Sequence, residues 1–125
     1  MRYRCAAEPI ATYVCHCRQC QKQSGSAFGI SAIVPRDSLQ LLEGEIATFD
    51  RTTDSGGVLT CAFCPACGSR IWHCRSLSPN KLSVKAGTFD VPVSLASAVH
   101  IWTATRLGGV IIPDGAVWFP GEPPD

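Results

Sequence analysis

The chain has 125 residues, enough for one compact core and too few for two independent ones. Apolar residues make up 46% and charged residues 17%, which excludes the low-hydrophobicity, high-charge composition of a disordered chain. The formal charge is +1 with the two signs interspersed, so no basic face of the kind that neutralises phosphates is visible and nucleic acid is not an expected partner.

In chain order, short segments rich in Val, Ile, Thr and aromatics predict strands at Arg2 to Cys5, Thr12 to Cys17, Ala27 to Val34 and Ile46 to Phe49. Four more follow at Val58 to Phe63, Ile71 to Cys74, Leu82 to Ala86 and Val99 to Thr103. Turn chemistry separates them at Glu43-Gly44, Asp54 to Gly57, Ser78-Pro79-Asn80 and Pro113-Asp114-Gly115. No window keeps a helical period over three turns; Gln19 to Ser24 and Pro35 to Ser38 suit single helical turns at most. The pattern predicts an all-β domain over 1–125, ending in a Pro-rich surface tail from Pro120.

The first residues carry positive charge with no apolar run behind them, and Pro, Gly or polar residues interrupt every later apolar stretch before it reaches spanning length. The expected location is cytoplasmic, with no membrane partner. In that reducing setting, eight cysteines point to metal rather than to a disulfide scaffold.

Five of the eight fall in two clusters. In Cys15-His16-Cys17-Arg18-Gln19-Cys20, a strand carries residues two apart to the same face, so Cys15 and Cys17 reach one point while His16 turns away to pack or hydrogen-bond. A turn at Arg18-Gln19 then returns Cys20 to that point. Three converging thiolates suit Zn²⁺ and leave one tetrahedral position, to be filled by a fourth protein ligand or by water or a substrate thiol. The second cluster, Phe63-Cys64-Pro65-Ala66-Cys67-Gly68, reads as a zinc knuckle in which Gly68 supplies a positive φ. It is half of a site, and Cys5, Cys61, Cys74, His73 and His100 are the candidates to complete it, each more simply read as an ordinary packed or surface residue. One zinc for all five thiolates exceeds a tetrahedral shell, so one or two Zn²⁺ per chain are expected.

These motifs also carry a resemblance. Cys-His-Cys-Arg-Gln-Cys-Gln at 15 to 21, Ser-Gly-Ser-Ala-Phe at 24 to 28, Phe-Cys-Pro-Ala-Cys-Gly-Ser at 63 to 69, Leu-Ser-Val-Lys-Ala-Gly-Thr at 82 to 88 and His-Ile-Trp-Thr at 100 to 103 occur in one order along the chain. Together they resemble the glutathione-dependent formaldehyde-activating enzyme family, which also includes centromere protein V. The resemblance implies an all-β fold of several small coiled antiparallel sheets around zinc, of the β-tent type. It implies an active-site zinc on Cys15, Cys17 and Cys20, and a structural zinc that Cys64 and Cys67 share with an earlier Cys-x-Cys pair. That pair lies upstream of a strand resembling Met1-Arg2-Tyr3, so the expectation is an N-terminally short member. A second departure is Leu107-Gly108-Gly109, where the family carries an aromatic residue.

The activity implied is a zinc-dependent carbon-sulfur lyase or synthase joining a small thiol such as glutathione to a small aldehyde, as in S-(hydroxymethyl)glutathione formation. Ser24, Gly25 and Ser26 would then form a wall of the substrate pocket, although Ser-Gly-Ser is also ordinary turn chemistry. A homodimer is allowed. The rival from another class is a non-enzymatic zinc-stabilised binding module. A zinc-bearing thiol redox enzyme ranks last, since it needs Cys5, Cys61 or Cys74 to be activated and the adjoining Arg4 and Arg75 sit on opposite strand faces. Arg51 and Lys85 read as solvated strand faces, and Trp72, Trp102 and Trp118 as core or its cover.

Overall fold

The computed structural model describes residues 1–124. Strands β1 (Arg2–Cys5) and β2 (Ala11–Cys15) precede a short helix α1 (Arg18–Ser24), and β3 (Gly29–Pro35) follows. Next come β4 (Leu39–Glu43), β5 (Ala47–Thr52), β6 (Val58–Phe63), β7 (Arg70–Arg75), β8 (Lys81–Lys85) and β9 (Val99–Ile101). The expected strands all form, with ends displaced by a few residues. β4 is the addition: Leu-Gln-Leu-Leu-Glu lacks a strand's alternation and is mostly exposed, so only its ladder with β1 makes it a strand.

The expected small sheets resolve into one of seven strands, in the order β5-β6-β7-β8-β3-β2-β9, and one of two, β1-β4. Neighbours pair antiparallel except β2 and β9, which run parallel with Tyr13 opposite Val99 and Cys15 opposite Ile101. β8 and β9 therefore run in the same direction within one sheet, and residues 86–98 make the crossover between them.

Directly opposed residues share a face of a sheet, so the register sorts the large sheet into two sides. On one side lie Val34, Leu82 and Val84, paired or diagonal across β3 and β8, with Cys74 and Trp72 of β7. This side is the core: Val34, Cys74, Leu82 and Val84 are buried, Trp72 of β7 packs beside them, and Tyr3, Cys5 and Leu39 of the small sheet, with Phe89, cover them. Val14, Val34 and Val84 are wholly inaccessible, and each such burial contributes about 1.5–3 kcal/mol.

The other side carries the chemistry. Cys15 opposes Gly29, Ser31 opposes Lys85, Ser83 opposes His73, and His73 opposes Cys61, which opposes Phe49. A single continuous face thus leads from Cys15 through Lys85 and His73 to β5.

Two sequence expectations need correction, and one backbone conformation stands out. Lys85 is buried rather than solvated, on the face of β8 that borders a cavity also lined by Cys20, Lys22 and Gln23 of α1. Trp118 stands exposed beside a bridge to His100 instead of filling the core. Trp102 adopts φ +56, a left-handed conformation bulky residues rarely take; it turns the chain after β9 into the Thr103–Thr105 turn.

Candidate metal centre

β2 stops at Cys15, so the expected strand-borne pair of thiols is not how the cluster forms. Cys17 is the extended N-cap residue of α1, where its Sγ accepts a hydrogen bond from the Cys20 N–H at 3.3 Å. A thiol here takes the place usually filled by Ser or Asp. Cys20 lies within the helix. Strand end, cap and first turn deliver three Sγ atoms that all lie within 4.8 Å of one another. Tetrahedral zinc-thiolate bonds of about 2.3 Å place sulfurs about 3.8 Å apart, so these residues fit Zn²⁺ with a small inward adjustment. Among the described residues, no other group of three His, Cys, Asp or Glu side chains converges in this way, and no fourth ligand joins these three.

A seven-residue helix is marginal on its own, so α1 depends on its surroundings. Gln21 anchors it from a nearly inaccessible position. Its Nε2 donates to the carbonyls of His16 at 2.8 Å and Thr105 at 3.0 Å, while its Oε1 accepts from Arg18. Thr105 Oγ1 adds a donor to the His16 carbonyl at 3.1 Å. Gly25, at φ +61, closes the helix in the left-handed conformation that glycine tolerates best.

Gly29 answers a different constraint. A Cβ built there would stand 3.1 Å from Gln23 Nε2, 3.3 Å from Cys20 Cβ and 3.5 Å from Cys20 Sγ, so glycine lets the helix lie close against β3.

His16 points away from the thiols, as its place between Cys15 and Cys17 suggests. It is wholly buried, stacked at 5.3 Å on His100 and edge-on to Phe28 at 5.5 Å, with Nε2 3.0 Å from His100 Nδ1. Both histidines are held below their ordinary pKa, chiefly by burial. His16 thus supports the loop from behind, and Gln21, His100 and Thr105 complete that support.

The three thiols share protons unequally. Hydrogen bonds from Cys15 and Cys20 pull Cys17 strongly down, and the same contacts, with burial, push Cys15 strongly up. Hydrogen bonding to Cys15 favours ionisation of Cys20, but Cys17 and burial outweigh it and raise that thiol overall. Three neighbouring thiolates need a cation, and that is the chemical demand Zn²⁺ meets.

Beside Cys20 opens a cavity of about 240 Å³ between α1 and the face of β5 to β8. Lys22, Arg51, Arg70, His73 and Lys85 line it together with Cys20. His73 is held well below its ordinary pKa by burial first, and then by Lys85, Arg70, Arg75 and Arg51. Ser24, Gly25 and Ser26 do not line this cavity. Ser24 Oγ donates to the Cys20 carbonyl at 2.7 Å and Ser26 Oγ to the Phe28 carbonyl at 3.0 Å, so both hydroxyls close their own loop. Leu107-Gly108-Gly109 line a second depression of about 330 Å³, formed by residues 103–110 without any of the three thiols.

The knuckle forms as a tight turn. Gly68 N–H donates to the Cys64 carbonyl at 2.7 Å with φ +80, and Cys64 N–H donates to Ser69 at 2.9 Å. Cys64 is buried and Cys67 exposed, with its thiol pulled down by the Ser69 hydroxyl 3.3 Å away. The pair could hold a metal, but among the described residues none of the candidates Cys5, Cys61, Cys74, His73 or His100 joins it. Cys61 is fully buried in β6, Cys74 packs in the core with Arg36 Nη1 3.4 Å from its Sγ, and burial raises the Cys5 thiol.

No described helix is long and apolar enough to cross a membrane. Comparison with curated proteins returns no match. A crystal structure of a Rhodobacter sphaeroides protein is similar in fold, with a TM-score of 0.59 and 17% identity, covering 78% of this chain and 89% of that one. A model of the family described as glutathione-dependent formaldehyde-activating enzyme matches residues 1–105. With its three converging thiols inside that span, the chain belongs to the glutathione-dependent formaldehyde-activating enzyme family.

Proposed function

We propose that residues 1–125 act as a single zinc-binding β domain in the cytoplasm, a zinc-dependent carbon-sulfur lyase or synthase for thiol adducts of small aldehydes, as in S-(hydroxymethyl)glutathione formation. The observation that carries this reading is the convergence of Cys15, Cys17 and Cys20 within 4.8 Å, with Cys20 at the wall of a cavity and no fourth protein ligand among the described residues. Family membership supports glutathione and formaldehyde as the substrate types.

Bound by these three thiolates, Zn²⁺ supplies Lewis acidity and one coordination position open to a thiol or an aldehyde. In the synthetic direction the thiol S–H bond breaks, a carbon-sulfur bond forms at the carbonyl carbon, and the proton ends on the aldehyde oxygen. The chain's own contribution is placement. Gln21, Thr105 and the buried His16–His100 pair hold the three thiols rigidly, and the cavity beside Cys20 holds the rest of the substrate near them. Because thiols add to formaldehyde unaided, such placement is catalysis enough for a modest barrier.

The test is exchange NMR of ¹³C-formaldehyde with glutathione in the presence of the zinc-loaded protein. Exchange faster than the uncatalysed reaction, and restored to the uncatalysed rate by Cys20→Ser, is expected. An unchanged rate with the wild-type protein would instead favour a non-enzymatic zinc-stabilised binding module.

A further inference from the structure

The cavity beside Cys20 is unusual in charge. Lys22, Arg51, Arg70 and Lys85 contribute four formal positive charges to its wall, and no Asp or Glu lines it. The whole chain carries a net +1, so this concentration comes from the fold and not from composition. Among the described residues the ion pairs are Arg2 with Asp90 and Arg75 with Glu122, which leaves all four wall cations without a carboxylate partner.

Three of these groups belong to the sheet face, while Lys22 on α1 is exposed. Lys85 is only 7% exposed, and its Nζ donates to Ser31 Oγ at 3.2 Å, inside the sheet face that leads to Cys15. The Arg70 guanidinium lies 4.9 Å from the centre of the Phe49 ring, which in turn packs 6.0 Å from Phe63. Arg51 shares the β5 face with Phe49. Desolvating cations without counter-charge is costly, and the burden is visible in Lys85, pushed toward its neutral form by burial against the pull of Cys20, and in His73, pushed the same way by burial and the surrounding cations. Three thiolates around Zn²⁺ sum to −1, too little to balance four cations.

We propose that this cavity is an anion pocket in which Arg51 and Arg70, backed by Lys85, hold the carboxylate of the thiol substrate while its sulfur lies at the Cys20 end. The inference rests on the reading of the three-cysteine site as a thiol-binding metal centre, and it adds the selection: thiols with a carboxylate over neutral thiols of the same length. Carboxylate fits because its two coplanar oxygens match the arginine fork. Arg51 and Arg70 are therefore specificity-determining residues, placed to act on affinity and not on the reacting atoms.

Cobalt-substituted protein tests this by absorption spectroscopy, since a thiol entering the metal's coordination changes the visible spectrum. Two matched pairs serve as probes: 3-mercaptopropionate with 3-mercaptopropanol, and 6-mercaptohexanoate with 6-mercaptohexanol. At least one acid is expected to bind about tenfold or more tightly than its alcohol, the scale of a charge-assisted contact. Arg51→Gln and Arg70→Gln are expected to erase that advantage while leaving alcohol binding intact, which shows that the variants are folded and their metal centre sound. Equal affinity for acid and alcohol in both pairs overturns the anion pocket and leaves the thiol-binding centre standing. No spectral change with any thiol overturns the thiol-binding reading and the pocket with it.

Discussion

The chain has two Cys-x-x-Cys turns, Cys17 to Cys20 and Cys64 to Cys67, and the structure treats them differently. Around the first, β2 brings Cys15 as a third thiol, and a buried amide, two stacked histidines and a threonine fix the backbone from behind. Around the second, a sound turn with Gly68 in the left-handed region presents one buried and one exposed thiol with no third ligand among the described residues. A tight turn makes half a metal site. The other half is a matter of which strand ends beside it, and what keeps that end still.

Removing one thiol from each turn should break the comparison most sharply. Cys20→Ser takes a ligand from the complete cluster and should lower zinc affinity there by about 100-fold or more, beyond the range seen for lost supporting contacts. Cys67→Ser should leave that affinity unchanged. Competition with a chromophoric chelator, alongside zinc content per chain by elemental mass spectrometry, reads both outcomes. Equal losses would mean that the two turns share a metal.

Glycines sharpen the same contrast. Gly29→Ala places a methyl 3.3 Å from Cys20 Cβ and should shift the helix that carries the ligand, weakening zinc binding about tenfold, as a disturbed supporting shell does. At Gly68 a Cβ meets nothing within 4 Å, but φ is +80, so Gly68→Ala should cost roughly 1 kcal/mol of stability through backbone strain and leave zinc affinity untouched. Chelator competition and denaturant melts on the two variants separate these effects.

A last effect is in pH. His73 lies in the cavity on the three-thiol side, and its pKa in the folded chain is well below the ordinary value of 6.5. As pH falls below about 6.5 the unfolded chain takes up the proton first, so the contribution of neutral His73 to stability is full above that pH and is lost below it. His73→Gln should flatten the fall in stability between pH 6.5 and 5 by up to about 1.4 kcal/mol per pH unit, the slope for one proton. Urea melts of metal-free protein at several pH values measure it; an unchanged slope would show that His73 is not the group responsible.

Much of the fold is legible in the residues. Val58 to Phe63 announces its strand to the residue, since β-branched and aromatic side chains after a turn signal suit a half-buried pleated surface, and Arg2 to Cys5 does so by alternation around Tyr3. β4 is not legible, because Leu39 to Glu43 gains its extended form from β1, a partner far away in sequence. The cluster at Cys15, Cys17 and Cys20 is visible as spacing, but the means of convergence differ from expectation. Cys17 leaves the strand to cap a helix, a choice decided by Gln21 and by the distant Thr105. Gln21, Gly29, His100 and Thr105 belong to the site's support; Gln21 and His100 stand out in the sequence as parts of motifs, but nothing there shows that they brace the cluster, and Gly29 and Thr105 carry no signal at all.

By itself, then, the sequence determined the residue types: strands punctuated by turns, three thiols close enough to meet, and a glycine ready for a knuckle. Those properties depend on contacts and torsions within a few residues. Tertiary structure alone decided that Lys85 is buried, that Arg51 from β5 and Arg70 from β7 face the same cavity as Cys20 from α1, and that no carboxylate joins them. The physical reason is range: a charge meets its partners across strands of unrelated sequence position, so a chain of net charge near zero can still gather four cations around one cavity.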